Sequence, residues 1–207
     1  MSTSLAAPAT LEQALLLRGV TWEDYVRYRD DPANSGARMT YQAGVLEIMT
    51  LSYIHEAISL LIHNFITLWQ LHRNLDIQPA GSMTLRSAMI QKGLESDQCY
   101  YIRHAALIRS EVEIDVEHFP PDLAIEVDHR HASIRKLPIY VSLQVAEVWQ
   151  WREEKLLVLV LQDEQYVAVP ESKSLPGFPL DLLRDALSRR KEVSQTELAR
   201  EFQRKLT

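Results

Sequence analysis

The sequence predicts a single α/β domain with additional helices at both ends of the chain. The chain has 207 residues, 46% of them hydrophobic, which is enough for one core of ordinary size. Residues 54–69 repeat apolar side chains at the three-and-four spacing of an amphipathic helix. Residues 123–127 are nearly all apolar, which is typical of a central strand covered on both faces. We expect a core over about 38–170, N-terminal helices within 11–30 and C-terminal helices within 179–206.

Local patterns predict the elements in chain order. Two helices open the chain, over 11–17 and 22–29, and Thr21 is the N-cap of the second. A hairpin with strands 38–42 and 45–49 turns at Gly44 and precedes the long helix 53–72. The remaining predicted elements are strands 77–79, 83–86 and 98–102, helix 104–108, strand 123–127, helix 133–143, strands 146–152 and 156–161, edge strand 166–169, and helices 180–190 and 195–206.

Charge and cysteine content narrow the class of protein. The formal net charge of −6 argues against a broad basic surface that coats nucleic acid, so any DNA contact must be local. Cys99 is the single cysteine, so an internal disulfide is impossible and we expect a cytoplasmic protein. The first ten residues lack the pattern of a secretory signal, and no apolar run reaches eighteen residues. We therefore expect neither secretion nor a membrane partner.

Glu126 interrupts the apolar run 123–127. A buried carboxylate without a partner is costly, so its side chain must face a cation or a proton donor. Strand alternation puts Asp122, Glu126 and Asp128 on one face, where like charges raise one another's pKa unless a cation neutralises them. Mg²⁺ prefers such oxygen ligands. The alternative is that the two aspartates cap the strand ends in solvent while Glu126 pairs with an arginine.

Several separate segments agree in order and spacing with one known pattern. They are residues 44–50 (GVLEIMT), 93–102 (GLESDQCYYI), 120–128 (PPDLAIEVD), 137–140 (LPIY) and 147–149 (EVW). Over about residues 22–169 the chain thus resembles a large bacterial family of restriction-endonuclease-like proteins in the PD-(D/E)XK nuclease superfamily. The resemblance implies a restriction-endonuclease-like fold, in which helices flank a mixed central sheet.

The resemblance also implies site residues. Asp97 matches the aspartate of the first motif and Glu126 the acidic residue of the second, but Asp128 stands where that motif has lysine. The resemblance places the missing basic group on the following helix, at Lys136 or, less favoured, Arg135. Serine also replaces the proline that names the first motif, at position 96. Both departures bear on activity more than on fold.

A metal-dependent mechanism follows from the resemblance. Asp97, Glu126 and the backbone carbonyl of Val127 would hold Mg²⁺, for which Mn²⁺ can substitute. Lys136 would orient the nucleophile or stabilise negative charge on the phosphate. Three further residues are candidates: His55 and Glu47 as pocket-lining groups or a general base, and Asp122 as a third carboxylate. For His55 a purely structural role is the alternative.

Two functions remain open at this stage. The first is a metal-dependent endonuclease that hydrolyses DNA phosphodiester bonds, expected as a homodimer because cutting both strands needs two sites. The second is a catalytically inactive nuclease-fold domain that binds nucleic acid or a protein partner, which the absence of lysine at position 128 and the acidic net charge favour. Leu198, Phe202 and Leu206 form a narrow apolar stripe that docks either on its own domain or on a second subunit.

Overall fold

A computed structural model describes residues 13–111, 113–128 and 134–206. Predictions for residues 11, 12 and 133 lie outside these ranges. The helices are α1 (Trp22–Asp30), α2 (Tyr53–Arg73), α3 (Ala105–Ile108), α4 (Leu137–Ser142), α5 (Leu180–Arg189) and α6 (Gln195–Lys205), with a 3-10 turn at Pro32–Asn34. The strands are β1 (Ala14–Arg18), β2 (Arg38–Gln42), β3 (Val45–Met49), β4 (Gln78–Gly81), β5 (Thr84–Ser87), β6 (Lys92–Glu95), β7 (Gln98–Tyr101), β8 (Leu123–Asp128), β9 (Glu147–Arg152), β10 (Lys155–Gln162) and β11 (Gln165–Val169).

Two sheets form the frame of the domain. The first sheet has the order β1-β3-β2-β6-β5 and the second has the order β11-β10-β9-β8-β7-β4. Pairing in the first sheet is antiparallel throughout, whereas the second sheet contains a parallel pair, β8 with β9. The second sheet is therefore mixed, in agreement with the fold that the sequence predicted. β8 lies inside it and is buried from Leu123 to Val127, which confirms the prediction from its apolar run.

The chain passes from the first sheet to the second at Ser96 and Asp97, between β6 and β7. The Ser96 N–H donates to the carbonyl of Met83 at 3.2 Å, and the Asp97 N–H donates to the carbonyl of Ile125 at 3.3 Å. A proline at position 96 has no N–H and could not form the first bond. The serine thus fits the local backbone pairing, and Asp97 is held directly beside β8.

The C-terminal helices cover the second sheet on the side of α2. Leu198 and Phe202 of α6 are buried, and the ring centroid of Phe202 lies 4.2 Å from that of Phe65 in α2. Leu206 also packs against this core. The apolar stripe of α6 therefore docks on its own domain and not on a second subunit. α4 packs on the other side, where Ile139 and Tyr140 join a second core.

The prediction of a helix over 11–17 is wrong, because residues Ala14–Arg18 form β1 at the edge of the first sheet. Strand alternation sends Leu16 to the core that contains α4 and Leu17 to the core beneath α1. A helix would place its apolar side chains on one stripe and could not serve both cores. Pairing with β3 thus overrides the local pattern.

Two smaller differences concern β6 and α4. Strand β6 was not predicted, since its sequence Lys-Gly-Leu-Glu lacks β-branched residues and contains glycine. Gly93 is needed there because a Cβ atom would collide with the ring of Tyr25. The helix predicted over 133–143 begins at Leu137, with a proline in its first turn. Within the described ranges, no helix is both long and apolar enough to span a membrane.

Candidate active site

Asp97 is held by contacts from strand β8 and helix α2. Its Oδ2 accepts the N–H of Val127 in β8 at 2.7 Å and lies 3.1 Å from Nε2 of His55. His55 occupies the first turn of α2, where Ser52 caps the helix by accepting the His55 N–H at 3.2 Å. The capped start of α2 therefore points an imidazole at the carboxylate that the sheet crossing positions.

The Glu126 carboxylate accepts hydrogen bonds from two side chains four positions apart, Lys136 and Tyr140. Lys136, directly before α4, places Nζ 2.6 Å from Glu126 Oε2 and also donates to the carbonyl of Glu95 at 3.3 Å. The Tyr140 hydroxyl donates to Oε1 of the same carboxylate. Both carboxylate oxygens thus have a proton donor, which explains how a charged residue lies in a central strand at 5% exposure.

The missing lysine at position 128 has a spatial substitute. Asp128 ends β8, and its carboxylate lies 3.9 Å from Nε of Arg152 on the neighbouring strand. The ammonium of Lys136 instead reaches Glu126 from the segment that leads into α4. The basic group beside Glu126 therefore comes from the segment before α4 and not from β8 itself.

The central cluster of the candidate site consists of Asp97, Glu126 and Lys136, and the pKa of each of these groups is shifted by the charge of at least one of the others. Burial raises the pKa of Glu126 to about 7, assisted by the negative charge of Asp97 and opposed by Lys136. Burial also raises the pKa of Asp97, but the charge of Lys136 and the bonds from His55 and Val127 outweigh it, so the pKa lies below its usual value. Burial disfavours the charged form of Lys136, yet the two carboxylates raise its pKa above the usual value. At neutral pH the lysine is charged, and Glu126 takes up a proton more readily than an ordinary glutamate.

Oxygen atoms converge at the edge of β8 that faces Asp97. The Ile125 carbonyl accepts the Asp97 N–H, and the Val127 N–H donates back to Asp97 Oδ2. Strand alternation puts the Val127 carbonyl on this same edge. Asp97 Oδ1 is buried and has no hydrogen-bond partner among the described residues. A buried carboxylate oxygen without a donor is the kind of atom that a cation would satisfy.

These oxygens fit a hard divalent cation better than a transition metal. Over the described ranges, no cluster of three or more His, Cys, Asp or Glu side chains is arranged to hold a metal ion. Mg²⁺ does not need such a cluster, because it keeps several water ligands and uses only one or two protein carboxylates. Asp97, Glu126 and the Val127 carbonyl offer oxygen atoms of the kind that Mg²⁺ prefers.

The other predicted residues fall in two places. Glu47 is buried in β3, and its Oε2 accepts the N–H of Ile134 at 3.4 Å, so it supports the segment that carries Lys136. Asp122 precedes β8 at the end opposite to Asp128, and its carboxylate accepts the N–H groups of Ile102 and Arg103 at 2.7 and 2.9 Å and the Arg103 guanidinium. Glu47 thus contacts the segment that carries Lys136, whereas Asp122 binds backbone N–H groups at the opposite end of β8.

Two contributing residues were absent from the prediction. Tyr140 follows Lys136 by four positions, and this helical spacing was a usable signal that the two side chains share a face. Glu95 lies in the GLESD segment, and its carboxylate accepts the Met39 N–H at 2.7 Å and pairs with Arg29 of α1 at 3.1 Å. Nothing in the local pattern distinguished it, because both partners are distant in the chain.

Comparison with known protein families assigns the chain to one of them. The model of the Uma2 family, described as "Putative restriction endonuclease", matches residues 22–189 and so covers α1 to α5 and every residue of the cluster. No curated protein matches the chain. The match covers well over half of the sequence and agrees with the restriction-endonuclease-like arrangement of helices around a mixed sheet. This chain belongs to the Uma2 family.

Proposed function

We propose that this protein is a metal-dependent endonuclease that hydrolyses DNA phosphodiester bonds, with Mg²⁺ as cofactor and Mn²⁺ able to replace it. The observation that carries the proposal is the cluster of two buried carboxylates, Asp97 and Glu126, with the ammonium of Lys136, three groups from separate segments whose charges act on one another. Membership of the family supports a nuclease-like function. Perturbed carboxylates beside a lysine are a common feature of catalytic sites.

Each residue has a role in this proposal. Asp97, Glu126 and the Val127 carbonyl would hold the ion, which supplies a water of lowered pKa and polarises the scissile phosphate. Lys136 stabilises negative charge on a phosphate oxygen, because its ammonium is charged and already faces the carboxylates. His55 and Tyr140 orient Asp97 and Glu126 through the contacts described above. Glu47 holds the backbone at Ile134, two residues before Lys136.

The inactive nuclease-fold domain remains the competing function. Its main support was the aspartate at position 128, and the contact of Lys136 with Glu126 weakens that support by supplying a lysine from another element. Cutting both strands of a duplex requires two such sites, so we also propose that the working form is a homodimer. Light scattering on the purified protein measures the oligomeric state directly.

Cleavage assays with isosteric variants test the function. We expect the wild-type protein to nick plasmid DNA with Mg²⁺ or Mn²⁺ and not with EDTA, and Asp97→Asn or Glu126→Gln to abolish nicking. Asp181→Asn, whose side chain is 96% exposed on α5, is the matched control and should cut normally. Calorimetric titration with Mn²⁺ then separates the two functions. A wild-type chain that neither binds metal nor cuts DNA contradicts the nuclease, and equal cutting by the two site variants contradicts this site.

A further inference from the structure

Arg38 lies on the face of the first sheet that looks toward the candidate active site. It begins β2, and alternation separates it from Met39, which packs beneath α1. Its face is shared by Thr40, whose cross-strand partner in β3 is Glu47. Glu47 contacts the backbone of Ile134, close to Lys136. The guanidinium of Arg38 is therefore directed to the side of the sheet on which the cluster lies.

The guanidinium of Arg38 has few partners among the described residues. Its Nε is buried and has no hydrogen-bond partner in the part of the chain that the structure describes. Its Nη2 lies 4.0 Å from the carboxylate of Glu56, which is half exposed in the first turn of α2 beside His55. An ion pair at this distance with a solvated carboxylate contributes little to stability. A buried, unsatisfied donor is unfavourable, and its retention calls for a functional reason.

Neighbouring basic side chains are already engaged. Arg29 contacts the Glu95 carboxylate and the Ala37 carbonyl, each at 3.1 Å, and Lys136 contacts Glu126 at 2.6 Å. Arg38 differs from both because, among the residues that the structure describes, no carboxylate or carbonyl oxygen lies within hydrogen-bond distance of it. A guanidinium presents a planar fork of donors that matches two phosphate oxygens. The chemistry that would complete its hydrogen bonds is a phosphodiester.

We propose that Arg38 binds a backbone phosphate of duplex DNA next to the scissile phosphate, and that Glu56 competes with that phosphate in the free protein. The inference rests on the proposed function, since it supplies a substrate contact for the same site. It adds a positive group to a cluster that is otherwise rich in carboxylates. Phosphate contacts of this kind position the duplex and carry no sequence information.

Binding without cleavage tests the proposal. Anisotropy of a short labelled duplex is measured with the full chain in EDTA over a series of salt concentrations. Arg38→Ala should weaken binding by about tenfold at low salt and reduce the slope of log K against log salt by about 0.9. Arg38→Lys keeps the charge but not the fork, and should recover only part of the affinity. Arg27→Ala removes an equal charge from a 71% exposed side chain on α1, across the sheet, and should leave the slope unchanged.

A variant of Glu56 should change DNA affinity in the opposite direction to Arg38→Ala. Glu56→Gln should strengthen binding by releasing Arg38, and the gain should shrink in the Arg38→Ala, Glu56→Gln double variant, as a double-mutant cycle measures. A gain that persists undiminished in the double variant would reflect the lost negative charge alone and would contradict the competition for Arg38. Glu56→Gln also remains informative if Arg38→Ala fails to fold.

The outcomes separate this inference from the proposed function. Equal affinity and salt slope for Arg38→Ala and Arg27→Ala, or no duplex binding by the wild-type chain, would overturn the role of Arg38. If the wild-type protein cuts DNA in a metal-dependent way but Arg38→Ala has the wild-type salt slope, the proposed nuclease function is supported and only the Arg38 contact is rejected. A slope that depends on Arg38 in a protein that never cuts supports the contact and rejects the nuclease.

Discussion

Nζ of Lys136 and Oε2 of Glu126 lie 2.6 Å apart, and both side chains are largely withdrawn from solvent. Glu126 belongs to the central strand of the second sheet, whereas Lys136 stands directly before α4. The cation that neutralises the buried carboxylate thus comes from outside the strand. This relationship connects the stability of the domain to the charge state of its candidate active site.

Replacing Lys136 by methionine should destabilise the protein most at alkaline pH. The variant leaves Glu126 buried without its cation, which typically costs about 3–5 kcal/mol of unfolding free energy. The loss should be smaller at pH 5, where Glu126 is protonated and needs no counter-charge. Urea unfolding at pH 5 and pH 8 measures both values, with Lys155→Met at an exposed position as control. Equal losses at the two pH values would contradict this explanation.

Glu126 should also give the wild-type protein an unusual dependence of stability on pH. Its pKa is about 7 in the folded protein and 4.5 for the free side chain, so the folded state binds the proton more tightly between these values. The free energy of unfolding should therefore fall as pH rises through this window, by up to about 3 kcal/mol. Asp97, whose pKa is lowered, acts in the opposite sense and only at more acidic pH. Urea titrations from pH 4.5 to 8 check the slope, which Glu126→Gln should abolish.

Metal affinity should increase with pH over the same range. A carboxylate binds Mg²⁺ or Mn²⁺ only when it is ionised, so the proton on Glu126 competes with the metal. Below pH 7 the apparent Mn²⁺ affinity should rise by about tenfold per pH unit and then level off. Calorimetric titration at several pH values measures this, together with the protons released. A pH-independent affinity would remove Glu126 from the ligand set.

Replacing Tyr140 by phenylalanine should affect both stability and titration. The variant loses a hydrogen bond to a charged group, for which we expect a loss of about 1.5–3 kcal/mol in unfolding free energy. The pKa of Glu126 should rise further, because this hydroxyl helps to stabilise its charged form. Tyr166→Phe is the matched control, since its hydroxyl donates to the neutral carbonyl of Val145 at 2.7 Å. The control should lose less stability and leave the pH profile in place.

Replacing Asp122 by alanine separates a structural carboxylate from the candidate metal ligands. The backbone N–H groups of Ile102 and Arg103 lose their acceptor, and we expect a loss of about 2 kcal/mol in unfolding free energy. Mn²⁺ affinity of the folded variant should stay at the wild-type value. Calorimetry below the thermal transition measures it. A loss of metal binding comparable with that of Asp97→Asn would restore Asp122 to the site.

Local sequence patterns determined much of the frame. The spacing of apolar residues predicted α2, the hairpin of β2 and β3, and the buried strand β8, because helix and strand periodicities are properties of neighbouring residues. The incompatibility of Glu126 with its apolar run also showed from sequence alone that this residue needs a partner.

Only the tertiary structure decided which residues meet. The strand at Ala14–Arg18 exists because β3 offers an edge for pairing, and no local pattern encodes that edge. The contacts of Asp97 with His55, of Glu126 with Tyr140 and of Arg38 with Glu56 each join different elements of the fold. Such contacts depend on the order of strands in two sheets and on the crossing between them. Periodicity fixes which face a side chain occupies, whereas packing fixes what lies opposite that face.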